Sequence, residues 1–184
     1  MSTTPAINKI PIGKYLTFML GAEYFSLPVL QVREIIRLCP ITTVPRMPPY
    51  IKGVINLRGK IIPVIDLRER FSMNSMVISE DDRRCIIVVQ FKTHDALVQN
   101  MGMIVDVVEE VSQFLEGDLE STPDFGSSLD SRFIIGMAKS RGSVRTLLDL
   151  DRLLTMEGVI QLATHPIPLR LRPVVQSLEF SLTL

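Results

Sequence analysis

The sequence predicts a mainly β protein built from two similar lobes, each a small β-barrel of about five strands. One observation is a series of short apolar segments, separated by turn residues, across the first three quarters of the chain. Another is a set of glycine, arginine and aspartate residues that occurs twice at fixed spacing. The chain has 184 residues, of which 46% are hydrophobic and 22% charged, so it can form a packed core. A curled sheet of this size can remove its own edges.

The first strand is predicted at residues 15–20, where Leu16, Phe18 and Leu20 lie on one side. Further strands are predicted at residues 24–29, 35–38, 53–57 and 61–65, with residues 42–44 as an extension of the sheet. The last two strands are joined at Arg58 and Gly59. Glycine tolerates a positive φ, so Gly59 is the natural residue for this tight turn.

A second series of strands follows. It comprises residues 85–91, a strand pair whose clearest part is residues 103–108, and then residues 133–138 and 144–148. The turn between the last two strands is Arg141-Gly142. Residues 116–130 are rich in Gly, Ser, Asp and Pro, and this composition predicts a long loop.

The two series are related by an internal repeat with the spacing Gly-x4-Arg-Gly-x6-Asp-Leu. A shift of 83 positions relates two sets of residues: Gly53, Arg58, Gly59, Asp66 and Leu67, and Gly136, Arg141, Gly142, Asp149 and Leu150. Upstream, a shift of 76 relates Glu34 to Glu110, and the long loop absorbs the difference. The repeat predicts a duplication, with a first lobe mainly at 15–75 and a second mainly at 85–150.

Each copy of the repeat ends in a predicted helix start. Asp66 can cap a short helical turn, with Glu69 as its capping-box partner, and Asp149 takes the same place in the second copy. Apolar spacing predicts a longer helix over residues 150–162. Residues 1–14 are expected to be a flexible N-terminus. The tail, residues 163–184, contains three prolines and is expected to be extended; covering a lobe, self-association and disorder all remain open for it.

The sequence offers little for catalysis or for metal and cofactor binding. His94 and His165 lie in polar or proline-flanked segments, and their spacing is not that of a metal site. Cys39 and Cys85 are too few for a disulfide framework or a thiolate site. Residues 53–61 resemble a phosphate-binding loop, but five residues separate the glycines and Ile61 stands where Ser or Thr would bind magnesium. We therefore expect no enzyme activity, metal or cofactor.

Charge and hydropathy exclude two further classes. Lys and Arg total 20, as do Asp and Glu, so the formal net charge is zero and there is no general attraction for nucleic acid or anionic lipid. No apolar run approaches the length of a membrane span, and the first residues lack a signal-peptide pattern. A cytoplasmic protein is expected.

Several ordered motifs are similar to those of one family. Asn56-Leu-Arg-Gly59, followed by Pro63 and Asp66-Leu-Arg68, resembles the signature of the CheW family, the coupling proteins of bacterial chemotaxis. Val32-Arg-Glu-Ile35 resembles that family's V-x-E-I element. The resemblance runs from about Tyr15 to Leu154 and leaves the tail outside.

The resemblance implies two SH3-like five-stranded β-barrel lobes, which agrees with the internal duplication found from the repeat. The C-terminal α-helix and the extended tail are expected from the residues alone. It also implies a non-catalytic adaptor that couples chemoreceptors to a CheA-type histidine kinase. The implied partners are the kinase's regulatory domain and the cytoplasmic tip of methyl-accepting chemoreceptors. The implied location is cytoplasmic, recruited to membrane-associated receptor arrays without membrane insertion.

By the same resemblance, a set of residues would lie on or support the partner contacts: Val32, Glu34, Gly53, Val54, Arg58, Val105, Val108 and Val111. Val32 and Val108 could equally be core residues. Glu34 could form an ion pair at the rim or a binding contact, and Arg58 could anchor the hairpin or touch a partner. Structural roles in turns and caps are expected for Gly59, Asp66, Gly142 and Asp149.

A different class of function remains as the rival. A groove between two β-barrel lobes is a pocket by default, so a small-molecule-binding or enzymatic barrel protein is the alternative. The sequence does not distinguish which receptor or kinase is served, or whether the output is motility.

Overall fold

The computed structural model describes residues 10–73, 83–122 and 131–155. In chain order the strands are β1 (Gly13–Leu20), β2 (Glu23–Pro28), β3 (Val32–Arg37), β4 (Ile51–Leu57), β5 (Lys60–Asp66), β6 (Cys85–Lys92), β7 (Val98–Val105), β8 (Val107–Phe114), β9 (Leu119–Glu120), β10 (Ile134–Ser140) and β11 (Ser143–Leu148). Two short α-helices, α1 (Leu67–Arg70) and α2 (Leu150–Leu154), follow β5 and β11. The predicted mainly β class is confirmed.

The strands form two sheets. The six-stranded sheet has the order β8-β1-β2-β11-β10-β9, and the five-stranded sheet has the order β3-β6-β7-β5-β4. In each sheet one parallel pairing, β11 with β2 or β5 with β7, joins strands that are far apart in the chain. The other pairings are antiparallel.

The internal repeat relates β1, β2, β3, β4 and β5 to β6, β7, β8, β10 and β11. Replacing each strand of the five-stranded sheet by its repeat partner converts β3-β6-β7-β5-β4 into β8-β1-β2-β11-β10, which is the order in the other sheet. Each sheet therefore combines the first hairpin of one repeat with the last three strands of the other. The predicted duplication is confirmed, with its first hairpins exchanged.

This exchange differs from the predicted lobe ranges, 15–75 and 85–150. The β1–β2 hairpin pairs with β8 and β11, and the β6–β7 hairpin pairs with β3 and β5. The two strands of a hairpin pair with each other because a short turn joins them. The strands on either side of the hairpin come from distant parts of the chain. Local alternation of apolar residues carries no information about which strands these are.

Irregularities in the sheets repeat as well. The register shifts at Arg33 in β3 and at Glu109 in β8, and again at Lys52 in β4 and Ile135 in β10. These positions are related by the shifts of 76 and 83 found in the sequence. A β-bulge bends its strand and increases the local twist, so both sheets are curved at corresponding points.

The predicted strand segment 103–108 is interrupted in the structure. β7 ends at Val105 and β8 begins at Val107, with Asp106 in a bend between them. The Asp106 carboxylate accepts a hydrogen bond from the backbone N–H of Gly21 at 2.6 Å. Its amide donates to the carbonyl of Met19 at 3.1 Å. These hydrogen bonds hold the bend at Asp106, where the run of hydrophobic residues had predicted one uninterrupted strand segment.

The largest hydrophobic cluster is shared by the two sheets. It contains Phe18 and Leu27 from the six-stranded sheet together with Ile65 and Met103 from the five-stranded sheet, all fully buried. Two smaller clusters belong to one sheet each: one surrounds Val64 and Ile86, the other Tyr15, Phe114 and Leu147. The shared cluster fixes the sheets relative to each other, because a close-packed interior resists sliding.

Both helices begin at the expected aspartates. Asp66 Oδ1 accepts from the N–H groups of Arg68 and Glu69, and Asp149 Oδ1 accepts from that of Arg152. The Glu69 carboxylate bonds the Lys52 ammonium at 2.5 Å. The helix predicted over 150–162 is described as far as Leu154, and its remainder, the tail and residues 1–9 lie outside the described residues.

Candidate functional site

The hairpin turns β4–β5 and β10–β11 present an arginine at each tip. Arg58 and Gly59 have φ of 51° and 81°, and Arg141 and Gly142 have φ of 48° and 76°. Two consecutive positive φ values are typical of a type I′ turn, which matches the twist of the flanking strands. The positive φ expected at Gly59 is found. The positive φ of Arg58 was not predicted, since non-glycine residues rarely have a positive φ.

The first turn carries an ion pair with β3. Arg58 Nη2 lies 3.0 Å from Glu34 Oε2; the arginine side chain is 81% exposed and the glutamate 27%. The sequence left open whether Glu34 forms a rim ion pair, and the structure shows that it does. An exposed pair contributes at most about 1 kcal/mol. It therefore leaves the Arg58 guanidinium accessible to another carboxylate.

The second turn carries the equivalent pair. Arg141 Nη1 lies 3.0 Å from Glu110 Oε2 on β8. The nearly buried Arg145 adds Nη2 at 3.4 Å from Glu110 Oε1, and its Nη1 donates to the carbonyl of Ser140 at 2.8 Å. Tyr24 lies beneath this guanidinium, 5.4 Å from ring centroid to Cζ. The sequence repeat contained Glu110 and Arg141, but they were not selected as site residues, and Arg145 had no local signal.

Exposed β-branched residues occur close to each ion pair in the chain, at matching repeat positions. Ile35 and Ile61 belong to the first copy, and Val111 and Val144 to the second; their exposure lies between 44% and 54%. Because side chains alternate along a strand, Ile35 and Val111 face the other side of the sheet from the glutamates that precede them. We call Glu34 and Arg58 the first hairpin face, and Glu110 and Arg141 the second hairpin face.

A shallow concavity of about 310 Å³ adjoins the first hairpin face. Its lining includes the basic residues Arg33, Arg58 and Lys60 and the amides of Gln90 and Asn100. The buried Oδ1 of Asn100 has no hydrogen-bond partner among the described residues. This arrangement can accept a polar or acidic group presented by a partner.

The other predicted site residues lie deeper. Val54 and Val105 are buried, and Val32 and Val108 are half-buried against the shared cluster. The structure thus brings Glu34 and Arg58 together, exposes Val111 in the other sheet, and leaves the four other valines able to support contacts from below.

Gly53 is fixed by close backbone contact. Its φ is 138°, and a Cβ there would lie 2.0 Å from the carbonyl oxygen of Thr42. Thr42 and Val54 exchange two backbone hydrogen bonds of 2.9 Å across this position. The glycine therefore allows the segment after β3 to pair with β4. In the repeat, a Cβ on Gly136 would meet Ile10 Cδ1 at 2.3 Å and the Glu120 carbonyl oxygen at 2.7 Å.

An ion pair between α1 and the β7–β8 bend was missed by sequence reasoning. Arg68 Nε lies 2.7 Å and 2.9 Å from the carboxylate oxygens of Asp106, and both side chains are largely buried. With the bond from Gly21, this pair connects α1, the β7–β8 bend and the β1–β2 turn. Arg68 belongs to a recognised motif, but nothing local indicates that its partner is 38 residues away.

The described residues contain no cluster of three or more His, Cys, Asp or Glu side chains that could hold a metal ion. Cys39 and Cys85 are free and half-buried, and burial raises the pKa of the Cys85 thiol. Among the helices that the structure describes, none is long and apolar enough to cross a membrane.

Comparisons with known proteins agree with this architecture. Residues 14–158 match the family model of the CheW-like domain. The chain is 31% identical over 144 residues to the chemotaxis protein CheW of Klebsiella aerogenes, covering 78% of this chain and 82% of the relative. It is 32% identical over 142 residues to the chemotaxis protein CheW of Rhizobium meliloti, covering 77% and 87%.

A solved structure shows the same fold. The scaffolding protein TtCheW from Thermoanaerobacter tengcongensis superposes with a TM-score of 0.69 and 34% sequence identity, over 80% of this chain and 96% of that one. These relatives favour the adaptor interpretation over a small-molecule-binding or enzymatic barrel. The chain belongs to the family of CheW-like domain proteins.

Proposed function

We propose that this chain is a non-catalytic adaptor that couples the cytoplasmic tip of methyl-accepting chemoreceptors to the regulatory domain of a CheA-type histidine kinase. The observation that carries the proposal is the duplicated hairpin face, an exposed arginine at a hairpin tip paired with a glutamate in each copy of the repeat of a CheW-like fold. Its place of action would be the cytoplasmic side of membrane-associated receptor arrays.

Coupling is a binding task in which two partners must be held in a fixed relation. A displacement of one partner shifts the equilibrium of the other only if the connecting body is stiff. The hydrophobic cluster shared by the two sheets supplies that stiffness. Individually modest contacts suffice, because an array raises the effective concentration of each site.

In this proposal the contact residues divide into two groups. Glu34, Arg58 and Val111 are accessible and would touch a partner directly. The buried or half-buried residues, Val32, Gly53, Val54, Val105 and Val108, would hold the strands under the contact surface. The rim pair between Glu34 and Arg58 can open at low cost, and Arg58 can then bind a partner's carboxylate.

The test is titration of a receptor cytoplasmic fragment and, separately, of a kinase regulatory domain. We expect Arg58→Ala or Glu34→Lys to weaken binding by about 1–2 kcal/mol, since truncation of an interface arginine has effects of this size. Lys139→Ala is the matched control, because it removes an exposed ion pair, with Glu120, from the six-stranded sheet. Unchanged affinity of both variants for both partners would show that the first hairpin face is not the site.

A further inference from the structure

An apolar groove lies where β1 begins and β2 ends. It has a volume of about 350 Å³, and its lining includes Pro11, Ile12, Pro28, Val29 and Leu30. Leu30 is 91% exposed and Ile12 is 49% exposed. Exposed aliphatic side chains that line a common groove form a candidate docking surface. We call this feature the Leu30 groove.

The internal repeat shows why Leu30 is free. The shift of 76 relates Leu30 to Asp106, which is buried and anchors the β1–β2 turn through the N–H of Gly21. In the other half, Asp151 of α2 performs this task by accepting from the N–H of Lys92 at 2.9 Å. Asp106 thus secures the β1–β2 turn and Asp151 the end of β6, and the exposed Leu30 side chain takes no part in either.

The last described helix, α2, is bonded to the residue that follows Leu30 in the chain. Asp151 Oδ1 in α2 also accepts from Gln31 Nε2 at 3.3 Å, and Gln31 is the neighbour of Leu30. The chain continues from Thr155 with residues 156–184. An extended chain spans about 3.3 Å per residue, so residues well inside the tail can reach the groove.

The tail has a chemistry that fits the groove. In residues 167–172, Ile167, Leu169 and Leu171 alternate with Pro168, Arg170 and Arg172. Alternation with a period of two predicts an extended segment with one apolar side, and proline disfavours a helix there. The match to the CheW-like domain ends at residue 158, so this segment lies outside the matched residues.

We propose that residues 167–172 bind in the Leu30 groove of the same molecule, with the three aliphatic side chains facing Leu30 and Ile12. Covering Leu30 and Ile12 removes apolar surface from water. Because both ends of the contact belong to one chain, a short linker keeps the effective concentration high. A partner that used the groove would have to displace the tail.

Hydrogen exchange of the full-length chain tests the proposal, with mass spectrometry resolving peptides from residues 160–180. The wild-type amides of Ile167, Leu169 and Leu171 should exchange more slowly than in an unstructured peptide. Leu30→Asp should raise their exchange about tenfold, as expected from losing one buried leucine contact. Val144→Asp, an exposed substitution elsewhere in the six-stranded sheet, should leave tail exchange unchanged. Unchanged exchange in β6 verifies that both variants fold.

Limited trypsin digestion gives a second readout at Arg170, since Arg172 precedes Pro173 and resists cleavage. Cleavage after Arg170 should be faster in Leu30→Asp than in the wild type. Unprotected tail amides in the wild type, or equal rates in wild type and Leu30→Asp, would overturn the proposal. Tail protection that increases with protein concentration, with a dimer mass by light scattering, would also overturn it in favour of a second copy.

Discussion

The two halves of the molecule have the same backbone arrangement and differ in the side chains that contact the ion pair of each hairpin face. Both have the same strand order, the same bulges and an arginine at a type I′ turn paired with a glutamate at 3.0 Å. In the second half, the nearly buried Arg145 adds another contact to Glu110 and packs on Tyr24. The duplication preserved the geometry of the ion pair while the side chains around it diverged, leaving the first face easier to rearrange.

The anchors of the two first hairpins differ in the same way. Asp106, paired with Arg68, accepts from the amide at the β1–β2 turn, whereas Asp151 accepts from the amide that ends β6 and from the Gln31 side chain. One anchor is therefore a buried ion pair and the other a set of more exposed hydrogen bonds. In both halves a backbone N–H at the end of the first strand needs an acceptor, and a carboxylate from a different element provides it.

The largest expected effect concerns two glycines of the β4–β5 hairpin. Gly53→Ala places a Cβ against the Thr42 carbonyl at a φ of 138°, and should reduce the free energy of unfolding by about 4 kcal/mol. Gly59→Ala has open space around it and should cost only about 1 kcal/mol for the positive φ. Urea denaturation followed by circular dichroism measures both. Similar losses for the two variants would show that the Thr42–Val54 pairing does not hold the hairpin.

The anchors provide the next comparison. Asp106→Ala leaves the Arg68 guanidinium largely buried without its carboxylate, and should cost about 3 kcal/mol. Asp151→Ala removes hydrogen bonds at a more exposed site and should cost about 1 kcal/mol. Chemical denaturation of both variants at one pH gives the difference. Equal losses would contradict the assignment of the buried ion pair as the stronger anchor.

The smallest expected effect is a decline in stability at alkaline pH. Burial raises the pKa values of Tyr15 in β1 and Cys85 in β6 above their ordinary values of 10.0 and 9.0. Each group is charged when deprotonated, so its contribution is fully present below the unfolded pKa and is lost as pH rises through the raised folded pKa. Cys85→Ala should flatten the decline from about pH 9 upward, and Tyr15→Phe from about pH 10. Denaturation curves parallel to the wild type at every pH would contradict this.

Local features were predictable from the sequence because short segments determine them. The pattern of apolar residues predicted the bounds of strands β1 to β6 to within a few residues. Asp66 and Asp149 were correctly identified as helix caps. Gly59 was identified as a turn residue from the steric freedom of glycine. Fixed spacing revealed the repeat, since spacing survives divergence of the side chains.

Long-range features were not predictable in the same way. The exchanged hairpins, the Arg68–Asp106 pair and the contact of Arg145 with Glu110 all join segments that are distant in the chain. No local pattern specifies such partners. The second hairpin face could have been found by extending the repeat from Glu34 and Arg58 to Glu110 and Arg141.

The central claim, that one stiff body couples two partners, is tested most directly by co-sedimentation of receptor cytoplasmic assemblies with kinase, with and without this protein. We predict that kinase sediments with receptor when the wild-type protein is present, and that Arg58→Ala lowers the sedimented fraction while Lys139→Ala does not. Sedimentation of the kinase to the same extent without the protein, or none with it, would contradict the account.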